Sequence, residues 1–397
     1  MAIDARTIPG PTAPATELVP RSSADITEDD VESVVEVLRS GRLSLGPAQE
    51  RFEELVAEYV GVEHAVAVSS GTAALHLLVR AVGIEPGDEV LVPSFTFAAS
   101  VNCILYEGAV PVFVDVEPAT YNLDPLDLEA KITRRTRAIV AVDAFGHPAE
   151  WDEIERIAKK HGLAVIDDAC EALGARYRGR RIGTMGDAAT FAFYANKQVT
   201  TGEGGMIVTD DAGIAEACRS WRNQGRGRMG SWLEHERLGY NYRMDEMSAA
   251  LGVSQMGRVD ALLKRRREAA RTYSHYLKQF DWLAAPMALD HAWVSWFVYV
   301  VRLAPHVDRE ALIADLADQG IPSRAYFSPI HLQPYIQTML AAGKLGAGWD
   351  WSPSSLPVTE ELSKHTLALP FHSNLTEADV DLVVRALAKS APGLHSG

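Results

Sequence analysis

Cysteine is scarce in this chain: Cys103, Cys170 and Cys218 are the only three in 397 residues. So small and odd a set offers no disulfide framework and fits a reducing, cytoplasmic setting. No apolar run is long enough to cross a bilayer, and the first residues lack the charged start and apolar centre of a secretion signal, so no membrane partner is expected. Positive charge is also short: 38 Lys and Arg against 53 Asp and Glu leave a formal net charge of −15. A nucleic-acid backbone needs a basic face, which excludes broad nucleic-acid binding. A small phosphorylated ligand needs only a local positive pocket and stays allowed. No Gly-x-Gly-x-x-Gly turn follows an early strand, which removes a nicotinamide dehydrogenase. There is no internal repeat, and no metal is expected.

What is present is an ordinary globular composition, 47% apolar and 23% charged, at a length that suits two domains. Residues 1–24, rich in Pro, Ala and Thr without periodicity, are expected to form a mobile N-terminal arm. A helix is expected from Thr27, with Asp30 completing a capping pair, and a second from Ala48 to Val60. From His64 onward short apolar runs alternate with helical patterns. The runs are 65–68, 89–92, 110–114, 138–142 and 163–167; the helices are 72–81, 96–106 and 151–161. This rhythm predicts an α/β fold with a mostly parallel central sheet covered on both faces. Strands at 190–194 and 205–209 flank an irregular turn. A long helical stretch runs from Asp245 to about Phe280. Its Lys264-Arg265-Arg266-Arg267 is expected to be a solvated face. A strand at 295–303 and helices at 309–319 and 376–389 follow. Residues 25–262 are taken as a large domain and 263–397 as a smaller C-terminal α+β domain.

Lys197 carries the chemistry. It lies in Phe191-Ala-Phe-Tyr-Ala-Asn-Lys-Gln-Val-Thr-Thr-Gly-Glu-Gly-Gly205, after an apolar strand and before a glycine turn. Burial disfavours the charged form of an amine, and a neutral amine condenses with aldehydes. Asp168 ends an earlier strand, where a carboxylate can keep a pyridine nitrogen protonated and make the ring an electron sink. Ser69-Ser70-Gly71-Thr72-Ala73 ends a strand and opens a helix, whose N-terminus suits a phosphate. Of Phe95 and Phe97, one can lie flat on a ring and at least one belongs to the core. All these segments end at the carboxyl edge of the sheet, where open α/β folds bind ligands. Together they predict a pyridoxal 5′-phosphate (PLP) site.

With these residues in hand, the chain resembles the DegT-type sugar aminotransferases, PLP enzymes of the aspartate-aminotransferase superfamily (fold type I), over roughly residues 25–390. The anchors are Ser70-Gly71-Thr72-Ala73-Ala74-Leu75, Gly87-Asp88-Glu89-Val90, Pro111-Val112-Phe113-Val114-Asp115, Asp168-Ala169-Cys170-Glu171-Ala172-Leu173-Gly174, Asn196-Lys197, Gly202-Glu203-Gly204-Gly205 and Gly239-Tyr240-Asn241-Tyr242-Arg243. The resemblance implies that Lys197 binds PLP as a Schiff base and that Asp168 faces the pyridine nitrogen. It puts Glu171 near the ring oxygen O3′ and Phe97 on the ring. Gly71, Thr72 and Ala73 would hold the phosphate, with Asn196 nearby. Asn241 would reach the neighbouring subunit's phosphate, so the active unit would be a homodimer with shared sites. His331, Arg324, Tyr326 and Arg243 would contact substrate. Arginines 42, 178, 180, 181, 222, 226 and 228, with Leu43 and Ser44, are lesser candidates.

One position departs from the pattern. Many members carry serine five residues before the lysine; here it is Ala192, which removes a phosphate contact. Histidine replaces the lysine in relatives that dehydrate sugars, so Lys197 implies transamination. The expected reaction moves an amino group from an amino acid, L-glutamate first among candidates, to a nucleotide-diphosphate-linked 4-keto or 3-keto deoxysugar. It would run as ping-pong chemistry through pyridoxamine 5′-phosphate (PMP). The rivals are a keto-cyclitol (inosose-type) aminotransferase and a PLP- or sugar-binding protein without turnover.

Overall fold

The computed structural model describes residues 17–227, 234–345, 348–349 and 351–390. Two helices open the chain, α1 (Glu28–Ser40) and α2 (Pro47–Val60). Thr27 and Asp30 form the expected capping box, and Gly41 ends α1 in the left-handed region at φ 70°. Then come β1 (His64–Val68), α3 (Gly71–Ala81), β2 (Glu89–Pro93), α4 (Ala99–Tyr106), β3 (Val110–Val114), α5 (Pro125–Ala130), β4 (Thr136–Val142), α6 (Trp151–His161) and β5 (Ala164–Asp168). Two short strands, β6 (Arg176–Tyr177) and β7 (Arg180–Arg181), precede β8 (Ala188–Ala192), β9 (Gly205–Thr209) and α7 (Ala212–Arg222).

The central sheet has seven strands in the order β1-β9-β8-β5-β4-β2-β3. Only β9 runs against the others, pairing antiparallel with β1 and β8. The remaining pairs are parallel, and β5 lies with Asp168 opposite Val142 on one side and Thr190 on the other. Strands β2 and β3 are buried along their whole length. That explains their continuous apolar text: a parallel sheet covered on both faces has no polar side. The carboxyl ends of β1, β2, β4, β5 and β8 therefore come to one edge.

The long helical stretch is two helices, α8 (Glu246–Met256) and α9 (Val259–Tyr276), parted at Gly257 and Arg258. The chain then forms β10 (Leu283–Ala284), β11 (Ala292–Trp293), β12 (Tyr299–Leu303), α10 (Arg309–Asp318) and β13 (Arg324–Ala325). It closes with α11 (Pro334–Ala341), α12 (Pro357–His365), β14 (Thr366–Leu369) and α13 (Glu377–Lys389). A second sheet of four strands, β10-β12-β14-β13, shares its core with α13 and α9. Thr376 and Asp379 cap α13 as a second capping box.

There are two main apolar cores, and α9 belongs to both. Val259, Leu262 and Leu263 enter the large core, whereas Ala269, Ala270 and Tyr273 enter the smaller one. The expected boundary at 262/263 thus falls inside a continuous helix. Ile330, Ile336, Leu345, Trp351 and Leu356 also pack on the large core. Of the segment expected to be a mobile arm, residues 1–16 lie outside the described residues. Residues 17–24 are tethered: Val19 is buried in the smaller core, Leu18 donates its N–H to the Gly320 carbonyl, and Arg21 accepts from Phe371.

Two expectations need correction. The strand foreseen at 295–303 forms only over 299–303. Ser295 and Phe297 instead donate their N–H groups to the carbonyls of Gly146 and Phe145, at 3.0 and 3.1 Å. The basic run 264–267 is not uniformly solvated. Lys264 stays out, but Arg266 is 1% exposed, because one side of α9 is wedged between the two cores.

Candidate active site

Lys197 lies in the turn after β8, its N–H bonded to the Tyr194 carbonyl at 2.9 Å. Its side chain is 12% exposed. The amine Nζ is 3.7 Å from Glu171 Oε1 and 3.8 Å from the centre of the Phe297 ring. Glu171 anchors its other oxygen on the Phe145 N–H at 2.8 Å. Phe145 takes φ 60°, an unusual conformation for a non-glycine residue. Burial pushes the Glu171 carboxyl above its ordinary range, and the Lys197 charge and the Phe145 N–H partly oppose that rise.

Asp168 ends β5, 5% exposed. Oδ2 accepts from the Ser100 hydroxyl at 2.6 Å and Oδ1 from the Cys170 N–H at 3.3 Å. Ser100 is in turn 2.9 Å from the Thr96 hydroxyl. The first turn of α4 and the segment before it thus orient the carboxylate. Phe97 lies between those two hydroxyl residues and is 64% exposed, while Phe95 is fully buried. The core takes Phe95 and leaves Phe97 exposed, in line with the expectation that at least one of the two belongs to the core.

Helix α3 starts at Gly71, beside the ends of β5 and β8. A Cβ added at Gly71 would lie 2.8 Å from Ala192 Cβ and 3.0 Å from Cys170 Sγ, so only glycine permits this approach. Ser70 caps the helix by accepting from the Ala73 N–H at 3.1 Å. The Ala73 donor expected for the phosphate is therefore already engaged. The N–H groups of Gly71 and Thr72 have no intrahelical acceptor, as at any helix start. Asn196 keeps its Oδ1 buried without a partner among the described residues. Desolvation, then the Asp168 charge, holds the Cys170 thiol well above its ordinary range, although the residue is only half-buried.

The other candidates divide. Tyr326 packs on Phe145 with the rings tilted at 60° and their centres 5.8 Å apart, and feels the Glu171 charge; burial first, then that charge, pushes its hydroxyl above the usual range. Arg324 is exposed on β13. Arg243 donates to Asn223 Oδ1 at 3.0 Å, and Asn241, exposed, forms a β-bridge with Asn223. Burial and the charges of Arg226 and Arg222 lower the Arg243 guanidinium from its ordinary value. His331 is not brought to the site. It is fully buried, with Nδ1 2.7 Å from Ser94 Oγ and Nε2 3.3 Å from Glu360 Oε1, so both ring nitrogens are used internally. Arg222 is buried on Glu53 and the Ala67 carbonyl, and Arg180 pairs with Glu155 at 2.9 Å. Arg178 pairs with Asp152 at 3.0 Å, and Arg181 lies over the Tyr59 ring. Arg228 lies outside the described residues.

Phe145, Phe297, Ser100 and Arg266 were not foreseen at the site. Phe145 and Phe297 come from the two segments that pair where a strand was expected. Nothing local in their text signals this. Ser100 had a faint signal, one helical turn beyond Thr96.

The donor set fits PLP: an amine for the aldehyde, a carboxylate for the ring nitrogen, and free N–H groups at a helix start for the phosphate. Solved relatives share the whole architecture. S. venezuelae DesV, solved with a ketimine intermediate, matches with a TM-score of 0.85 and 37% identity, over 92% of this chain and 95% of its own. Streptococcus pneumoniae Spr1654 in its PLP form matches with a TM-score of 0.85 and 27% identity, over 92% of this chain and 97% of its own. Fold and site together define a PLP-dependent aminotransferase of fold type I. A GDP-perosamine synthase from Caulobacter vibrioides is 42% identical over 349 residues, 87% of this chain and 90% of its own. Residues 24–388 match the DegT/DnrJ/EryC1/StrS aminotransferase family, and the chain belongs to that family. It is a sugar aminotransferase.

Proposed function

We propose that the protein transfers the amino group of L-glutamate to a nucleotide-diphosphate-linked 4-keto or 3-keto deoxysugar, working as a homodimer with shared sites. The observation that carries the reading is the Lys197 amine: nearly enclosed, beside Glu171 and Phe297, at the sheet edge where Asp168 ends β5. When bound, PLP supplies an aldehyde for amines and a ring that stores the electron pair left on the substrate carbon. Asp168, held by Ser100 and the Cys170 N–H, keeps the ring nitrogen protonated. Gly71 and Thr72 present N–H groups to the phosphate. Phe97, exposed at the cleft, would cover one ring face. Glu171 would hold the ring oxygen O3′. Lys197 Nζ would hold the cofactor and, once free, would serve as the acid–base group that takes a proton from the donor's α-carbon.

Asn241, exposed beside Asn223, is free to reach a partner's phosphate. Tyr326, Arg324 and Arg243 are the substrate contacts in this reading. The named relatives that act on nucleotide sugars, GDP-perosamine synthase among them, support the substrate class. The test has two halves. Glutamate alone should bleach the yellow of the loaded protein. UDP-, GDP- or dTDP-linked keto sugars should then restore it, while an inosose should not. Restoration by the inosose alone would replace the nucleotide-sugar reading.

A further inference from the structure

Arg266 is a buried cation with no carboxylate hydrogen-bonded to it among the described residues. Nε donates to Ser373 Oγ at 3.1 Å. Nη1 donates to the carbonyls of Trp296 and Phe297, at 3.3 and 3.0 Å. Nη2 donates to those of Asn196 and Lys197, at 3.2 and 3.1 Å. Burial lowers its proton affinity to about 10, with Asp25 opposing from a distance. Burying a charge against neutral acceptors is costly. Carbonyls alone do not need a guanidinium, since a neutral donor or a water satisfies them at less cost.

The acceptors explain the choice. One pair lies on the backbone that carries the Lys197 amine. The other lies on the backbone that carries Phe297, whose ring is 3.8 Å from that amine. A guanidinium is a flat, rigid fork with its donors at fixed angles. It therefore sets the spacing between the turn after β8 and the 296–297 segment. Its stem comes from α9, the helix shared by both cores, and its third arm holds Ser373 beside the smaller one. Arg266 ties three separate stretches of chain to one point behind Lys197.

We propose that Arg266 is a positioning residue, which fixes the Lys197 amine against Phe297 and Glu171 at the geometry needed to attack an aldehyde. The inference rests on Lys197 being the attachment residue. The step it serves is a condensation: Nζ adds to the aldehyde carbon, a C=N bond forms and one water leaves, with no net oxidation. A displacement of the order of 1 Å at the attacking atom costs about 100-fold in such a step. Binding of a cofactor that has no aldehyde needs no such alignment.

The experiment uses cofactor-free full-length protein and compares capture of PLP, followed by visible absorbance, with affinity for PMP, which forms no bond to lysine. In Arg266→Met, capture should slow by about 10- to 100-fold, while PMP affinity stays within about threefold of the parent's. Arg266→Lys keeps the charge but loses the fork. It should recover folding fully and capture only in part, and it carries the test if the methionine variant does not fold. Capture at the parent rate in either folded variant would overturn the proposal, and so would an equal loss of PLP and PMP binding. If the parent itself captures PLP at a residue other than Lys197, the attachment reading fails first, and that result is seen before any variant is made.

Discussion

Asp167 and Asp168 are consecutive residues of β5, yet they live in different worlds. Asp168 turns to the α4 face and meets a hydroxyl and an N–H beside the cleft. Asp167 turns to the α6 face, fully buried, near the equally buried Asp143 at the end of β4. Asp143 uses one oxygen on the Ala149 N–H and the Trp151 indole N–H. Among the described residues, its other oxygen and Asp167 Oδ1 have no partner unless the pair shares a proton. Burial raises both: Asp143 to about 7, against the pull of its hydrogen bonds to Ala149, Trp151 and Asp167, and Asp167 further still, with the Asp143 and Asp168 charges adding to the rise. Strand alternation thus turns two identical side chains into a ligand-facing carboxylate and a structural acid pair.

That contrast can be broken from either side. The largest expected effect is on the cleft face. Asp168→Asn should lower kcat by about 100- to 1000-fold, as expected when one fixed electrostatic contact is lost, while thermal melting moves little. Parallel steady-state and melting measurements would show the opposite pattern if Asp168 were structural. On the back face the effect should be on stability. The folded state keeps the Asp143 proton up to about pH 7, whereas the unfolded chain loses it near the ordinary value of 3.8. Stability from this group is therefore complete at low pH and drains away as pH rises across that window. Asp143→Asn removes the drain. Relative to the parent, its unfolding free energy should climb with pH by roughly 1 kcal/mol per unit between those values and then level off. A denaturation series across pH, with PLP capture unchanged, checks it. The smallest effect should come from Ser100→Ala, which removes one hydroxyl from Asp168 and should cost about 1–3 kcal/mol in kcat/KM. An equal change in the pH dependence of stability would mean that Ser100 serves the back face as well.

Much of the frame was legible in the text. The Thr27/Asp30 and Thr376/Asp379 pairs marked helix starts because capping is a local hydrogen bond. The alternating runs from His64 onward disclosed the sheet because both of its faces are covered. The positions of Lys197, Asp168, Gly71 and Phe97 beside strand ends were readable from the text, while their roles belong to the proposal. What escaped depends on chain segments far apart in sequence. Arg266 reads as one of four solvated charges, and only the wedge of α9 between two cores buries it. His331 reads as a loop histidine near a ligand, yet Ser94 and Glu360 enclose it. Phe297 reads as the middle of a strand, yet its backbone is diverted to Phe145. Gly257 and Arg258 gave no strong stop, so two helices read as one.

Whether Lys197 holds the cofactor can be measured directly. The protein loaded with PLP is reduced with borohydride, digested and mapped. A single pyridoxyl label is expected, on the peptide that contains Lys197, and no label in Lys197→Ala. A label on another lysine, or none on a protein that still turns over, would contradict it.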